Sequence, residues 1–216
     1  MVETMMKKAE IMPLIEYLET LRSGKVSEEM IQALCAAAYE KKVKAGTILV
    51  YPGEVLDRDI IGFVKRGFCR CYFLDSRGND VTRSFVPEKD FVFTELRLIE
   101  KEAQFTVETS EDCEIIMLDL KRLVHTAGNN LELQSELYLY YIAELEQIIK
   151  KMVLRDSTFL MADAQERYRE FCELFPEIEK RAKKYQVASY LGITSVSLSR
   201  IRRKMKNAKE ETARGT

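Results

Sequence analysis

A chain of 216 residues accommodates one large or two small domains, since domains typically run about 100–150 residues. Hydrophobic residues make up 46% and charged residues 32%, which leaves enough apolar material for a core. No window approaches the roughly 18 uninterrupted apolar residues of a membrane span, and Met1 to Glu10 lacks the apolar stretch of a secretory signal. A cytoplasmic protein with no membrane partner is therefore expected. The net charge of −1 conceals an asymmetry, because Lys180 to Lys206 holds nine Lys/Arg and no Asp/Glu, while residues 1–179 hold 23 basic and 33 acidic residues. A basic block beside an acidic body suits a polyanion-binding module, since Lys and Arg gain affinity by releasing condensed counterions. A solvated helical face would carry the same charge.

Residues 12–40 read as helical. Pro13 suits a first turn, and Ile15, Leu18 and Leu21 recur at threefold spacing. Ser27-Glu28-Glu29 offers an N-cap with early acids for a second helix, whose inner face would be Ile31, Leu34 and Ala38. From Lys41 to Asp119 the pattern changes to short apolar runs at 48–51, 60–64, 68–74, 81–86, 91–93, 105–108 and 114–118, broken by glycine and proline turns. Strands at this spacing predict a sandwich or double-sheet jelly roll.

A short helix near 120–127 precedes a long periodic segment. Leu131, Tyr138, Leu145 and Met152 are seven apart, with Gln134, Tyr141 and Ile148 in the second seam position. One helix of about 25 residues at 1.5 Å rise would span roughly 38 Å. A dimer seam of Leu131, Tyr138, Tyr141, Leu145, Ile148 and Met152 is expected, although Leu137 and Ile149 also suit packing on the chain's own body. Asp163-Ala164-Gln165-Glu166 reads as a capping box opening a helix that Pro176 ends, with 177–181 as connector.

Five cysteines (Cys35, Cys69, Cys71, Cys113, Cys172) read as reduced, mostly buried thiols. Cys69 and Cys71 share a strand face, but no second Cys or His pair stands at ligand spacing, so core packing is favoured over metal or redox chemistry. No metal site is expected, and no cofactor is indicated.

Residues 184–203 carry each part of a helix-turn-helix. Ala188 is small where two helices cross, and Gly192 stands four residues later, where the turn needs positive φ. Val187, Leu191, Ile193, Leu198 and Ile201 form the apolar wedge. Thr194 can cap the second helix and present backbone N–H groups to a phosphate. Ser195, Val196, Ser199 and Arg200 fall on the face that would meet base edges, with Arg200 suited to bidentate contact with guanine. Thr194, Arg202, Arg203 and Lys204 fit phosphates, as does Lys206.

The order of jelly roll, long helix and C-terminal helix-turn-helix resembles the Crp/Fnr family of regulators over about residues 25–206. The stretch Ala188-Ser-Tyr-Leu-Gly-Ile-Thr with Leu198-Ser-Arg-Ile-Arg is similar to a branch common in Bacteroidetes. The resemblance implies a homodimer joined through the long helix on a two-fold symmetric operator in double-stranded DNA, RNA polymerase as a further partner, and a ligand or redox change in the jelly roll that re-aims the DNA helices. It also implies an effector pocket at Glu95, Ala103, Gln104, Tyr138 and Tyr141. The chain departs from the cyclic-AMP-binding members, because Thr94-Glu95-Leu96 replaces Gly-Glu-Leu, and Ala103-Gln104 stands where an Arg-Ser pair would hold the cyclic phosphate. A buried phosphate without that arginine is poorly compensated, so an effector other than cyclic AMP is expected. The N-terminal cysteine cluster of oxygen-sensing members is absent, and the lone His125 is a weak basis for haem.

The expected architecture is α+β and two-domain. It comprises an antiparallel jelly roll with flanking helices (1–128), a dimerisation helix (129–157) and a helical DNA-binding domain with reduced or absent wing (158–216). The wing is doubted because the flanks of the helix-turn-helix are charged and short of β-formers. An enzyme is not expected, since one histidine cannot build the metal site of a jelly-roll enzyme, and Asp90, Glu95 and Arg97 read as a polar strand or loop face. The alternative is a dimeric sensing or interaction module that does not bind DNA.

Overall fold

The computed structural model describes residues 6–55, 59–93 and 102–214, with side chains to 207. Its strands form two four-stranded sheets. One has the order β1 (Ala38–Val43), β8 (Cys113–Asp119), β3 (Ile60–Arg66), β6 (Phe91–Val92), and the other β2 (Ile48–Val50), β7 (Thr106–Thr109), β4 (Cys69–Leu74), β5 (Asp80–Val86). β8 is central to the first sheet, with Ala38 opposite Leu118 on one side and Val64 opposite Ile115 on the other, both antiparallel. The period of two then sorts the side chains. Val64, Ile115 and Met117 point between the sheets to meet Val50, Cys69, Cys71 and Val107. Their neighbours Phe63, Ile116 and Leu118 point the other way, onto Leu14 and Ile15 of α1 (Met12–Arg22) and Ile31 and Leu34 of α2 (Glu28–Ala37).

Ser27 caps α2 as its sequence predicts, accepting from Met30 N at 3.1 Å. The helix stops sooner than expected, however, and Ala38 is the first residue of β1 with ψ 147° rather than part of a helical face. The run Cys35-Ala-Ala-Ala38 contains no breaker, so pairing with β8 ends the helix. α3 (Leu120–Ala127) is capped by Asp119, and α4 runs over Leu131–Met161, 31 residues. It is longer than expected because Asp163, not a residue near 157, supplies the next start signal, closing a full capping box with Glu166. The connector expected at 177–181 is itself helical, although the preceding helix does end before Pro176. Pro176 occupies the first turn of a further helix, α6 (Pro176–Arg181), which follows α5 (Ala164–Leu174).

The chain divides into two compact units, Met1–Cys71 with Phe85–Met152 and Tyr72–Ser84 with Val153–Thr216. The division falls within α4, and the β4–β5 hairpin tip groups with the C-terminal helices. The second unit holds α5, α6, α7 (Lys184–Tyr190) and α8 (Ser195–Arg214), and no strand occurs among the described residues 153–214. Its core is Tyr168, Phe171, Ile178, Val187, Ala188, Tyr190, Leu191 and Leu198, with the rings of Phe171, Phe175 and Tyr190 in mutual contact at 5.3–6.1 Å. No described helix is long and apolar enough to cross a membrane, and no group of three or more potential metal ligands occurs among the described residues.

Candidate nucleic-acid interface

The turn between α7 and α8 forms as the sequence predicts. Gly192 has φ +67°, Gly192 N donates to Ser189 O and Ile193 N donates to Ala188 O at 3.0 Å, which closes α7. An added Cβ at Gly192 would meet the Phe159 ring at 3.3 Å, so glycine is needed here both for its conformation and for close approach. Val187, Ala188, Leu191 and Leu198 are fully buried between the two helices, whereas Ile193 and Ile201 are half-buried. Thr194 Oγ1 accepts from Ser197 N at 3.1 Å and so caps α8.

α8 then presents a defined outer face. Val196 (60% exposed), Arg200, Arg203 and Lys204 recur at helical spacing and all reach solvent. Ser195 and Ser199 are half-buried beside them, and Ser199 Oγ donates to Ser195 O at 3.1 Å. Arg202 lies on a different side. Its guanidinium pairs with Glu179 at 2.8 Å, donates to Tyr168 Oη at 3.2 Å and stacks over the Tyr168 ring. Tyr168 Oη in turn donates to Glu179 at 2.7 Å, and burial pushes its pKa up. Arg202 was expected to reach a phosphate, but here it fastens α8 to α5 and α6. No local spacing marks this role, because both partners lie more than 20 residues away.

A second residue missed by sequence reasoning is Ser189 of α7. Its hydroxyl accepts from Thr82 N at 2.9 Å and donates to Asp80 O at 3.2 Å, so it serves one N–H and one carbonyl of β5, the end strand of its sheet. The hairpin turn is held by Asp75, which accepts from the backbone N–H groups of Arg77 and Asn79 at 2.8 and 2.9 Å. The Asn79 side-chain amide, donating at 3.0 Å, and then these backbone groups hold the Asp75 carboxyl below its ordinary pKa.

Within the first unit, α4 turns Leu133, Tyr140, Glu144 and Ile148 onto its own body. Ile148, expected in a dimer seam, is only 6% exposed in the single chain, whereas Ile142 and Ile149 are 51% and 59% exposed. The exposed apolar seam therefore runs Tyr138, Ile142, Leu145, Ile149, Met152, alternating steps of four and three, with Leu145 half-buried. Leu131 is exposed as well. Ile148 is withdrawn from the seam because that face of the helix packs inward beside Glu144, itself buried and accepting from Tyr17 Oη.

The residues expected to line an effector pocket differ in exposure. Tyr138 and Tyr141 are exposed on α4, while Tyr140 is the tyrosine that faces the body, stacked under the Arg22 guanidinium at 5.1 Å. Ala103 is buried in the core between the sheets, bridging to Gly53 and Glu54 through its backbone. Gln104 is exposed, its amide 3.5 Å from Glu102 O. Glu95 lies outside the described residues.

No protein-family model matches the chain, and no curated protein matches it. Solved structures do share its fold. The c-di-GMP-responsive global regulator CLP of Xanthomonas campestris aligns with a TM-score of 0.63 at 17% identity, covering 85% of this chain and 93% of that one. FixK2 of Bradyrhizobium japonicum gives 0.60 at 19% identity over 80% and 86%. A CooA variant from Carboxydothermus hydrogenoformans gives 0.59 at 19% identity over 89% and 84%. At these identities the likeness shows the fold, with its two sheets, long helix and C-terminal helices.

Proposed function

We propose that this chain is a Crp/Fnr-type transcription regulator that binds a two-fold symmetric operator as a homodimer. The observation that carries the proposal is the outer face of α8, where Val196, Arg200, Arg203 and Lys204 stand exposed behind a helix start capped by Thr194. Ser195, Val196, Ser199 and Arg200 would meet base edges in the major groove. Thr194, Arg203 and Lys204 would take phosphates and set register. The seam of Tyr138, Ile142, Leu145, Ile149 and Met152 would join two copies, presenting two such helices to two half-sites. RNA polymerase is the further partner if the bound dimer activates, and the cytoplasm is where such a bacterial regulator would work.

Control would come from the jelly roll. Ala103 and Gln104 supply no cation for a cyclic phosphate, which favours an effector other than cyclic AMP. A fluorescence-anisotropy titration of labelled duplex against salt tests the reading. Binding whose logarithm falls linearly with the logarithm of salt is expected. Negligible affinity for any duplex at low salt would leave a dimeric interaction module instead.

A further inference from the structure

The sequence pairs Cys69 with Cys71, but the structure gives Cys69 a different neighbour. Cys69 opens β4 in one sheet and Cys113 opens β8 in the other, and both thiols lie in the core between the sheets, 0% and 2% exposed. Both belong to the one buried apolar cluster between the sheets. Cys113 Sγ also lies 3.5 Å from Phe68 O and 3.3 Å from Glu111 O. The approach depends on Gly67, since a Cβ there would stand 2.7 Å from Cys113 Sγ. The chain thus brings the start of β4 closely over this one thiol, at a place where any larger residue than glycine would push it away.

We propose that Cys69 and Cys113 form a peroxide-oxidisable dithiol whose disulfide ties the two sheets of the jelly roll together. Their environments suit the two roles. The interaction between the two thiols lowers the pKa of Cys113 and raises that of Cys69, while burial pushes Cys69 up further. Cys113 is also the thiol next to the half-exposed turn at Ser110 and Glu111. The Cys113 thiolate attacks one oxygen of hydrogen peroxide, the O–O bond breaks, and hydroxide leaves as water on taking a proton. The resulting sulfenic acid is attacked by the Cys69 sulfur, which gives up its proton, and a second water departs. Two thiols lose two electrons and two protons, and one peroxide becomes two waters. Bulky disulfides such as glutathione disulfide would be excluded by burial of both sulfurs. The chemistry is independent of DNA binding and can be read without it.

Tryptic digestion separates the alternatives, because Arg70 lies between Cys69 and Cys71. The full-length protein, treated with a few equivalents of hydrogen peroxide and alkylated in denaturant without reductant, should drop from five reactive thiols to three. The linked pair should be peptide 67–70 joined to peptide 102–121, and a reductant should restore all five thiols. A link to peptide 71–77, a link through Cys35 or Cys172, or five thiols remaining would each overturn the proposal. Cys69→Ala should stop the reaction at a sulfenic acid on Cys113 that a 1,3-dione traps. If that variant does not fold, the wild-type peptide map decides alone.

Discussion

Tyr17 Oη donates a 2.5 Å hydrogen bond to Glu144 Oε2, joining α1 to the inner face of α4. Glu144 is 6% exposed, and burial raises its carboxyl above the ordinary 4.5, further than the tyrosine pulls it down. Asp90 adds to the rise and Lys151, itself paired with Asp90 at 2.6 Å, opposes it. A raised folded pKa means that the native state holds the proton more tightly than the unfolded chain. The stabilisation is therefore complete below about 4.5 and is lost as pH climbs through the folded value. Glu144→Gln keeps an acceptor for Tyr17 and removes the charge. Its Tm relative to wild type should rise with pH across that window and level off above it, in thermal melts from pH 4 to 8. Parallel curves would refute the assignment. Tyr17→Phe leaves the carboxylate without its donor and should cost about 1–3 kcal/mol at neutral pH.

The same helix yields a prediction about assembly. Ile142 and Ile149 are exposed in the single chain while Ile148 is buried, so their substitutions should separate cleanly. The double variant Ile142→Ser with Ile149→Ser should keep its melting temperature at dilutions where the wild type is monomeric. It should weaken the dimer by tenfold or more, each tenfold being about 1.4 kcal/mol. Ile148→Ala should instead destabilise the protomer by about 2–5 kcal/mol. Sedimentation equilibrium paired with denaturant melts reads both effects. Equal dimer constants for wild type and the double variant would refute the seam.

Recognition should divide by residue in the same way. Arg200→Ala should cost about 1–3 kcal/mol on the preferred operator and relax preference at one base position. Lys204→Ala should weaken all sequences alike and flatten the salt dependence by about one unit of slope per half-site. Arg202→Ala should lower the melting temperature of the free protein, because it removes the ion pair and stacking that join α8 to Glu179 and Tyr168. Anisotropy on selected and scrambled duplexes, with a melt of each variant, distinguishes the three. A scrambled-sequence loss for Arg200→Ala as large as the operator loss would contradict its base-reading role.

Local signals made much of this legible. The strands were marked by glycine and proline turns, and the helix-turn-helix by Ala188, Gly192 and the Thr194 cap. What stayed hidden depends on distant partners. The helix-to-strand change at Ala38 is imposed by β8, and the register of α4 by packing that pulls Ile148 inward. Pro176 suits the end of one helix and the first turn of the next equally well, and only the fold chooses. Cys113 became the neighbour of Cys69 through the pairing of two sheets, which no spacing encodes.

Ser189 offers the last test, inside the C-terminal unit. β5 is a sheet edge, and on an edge strand the carbonyl of one residue and the N–H two residues on point the same way. The Ser189 hydroxyl meets both, at Asp80 O and Thr82 N. Thr82 is 0% exposed, so water cannot readily replace the serine. Ser189→Ala leaves a buried N–H unsatisfied and should destabilise this unit by about 1–3 kcal/mol. Hydrogen exchange should locate the loss, with faster exchange at the amides of residues 80–84 and of α7 while those of β8 keep their protection. Unchanged protection at Thr82 would mean that the hydroxyl contact carries no weight, and the hairpin tip would then be held to α7 by packing alone.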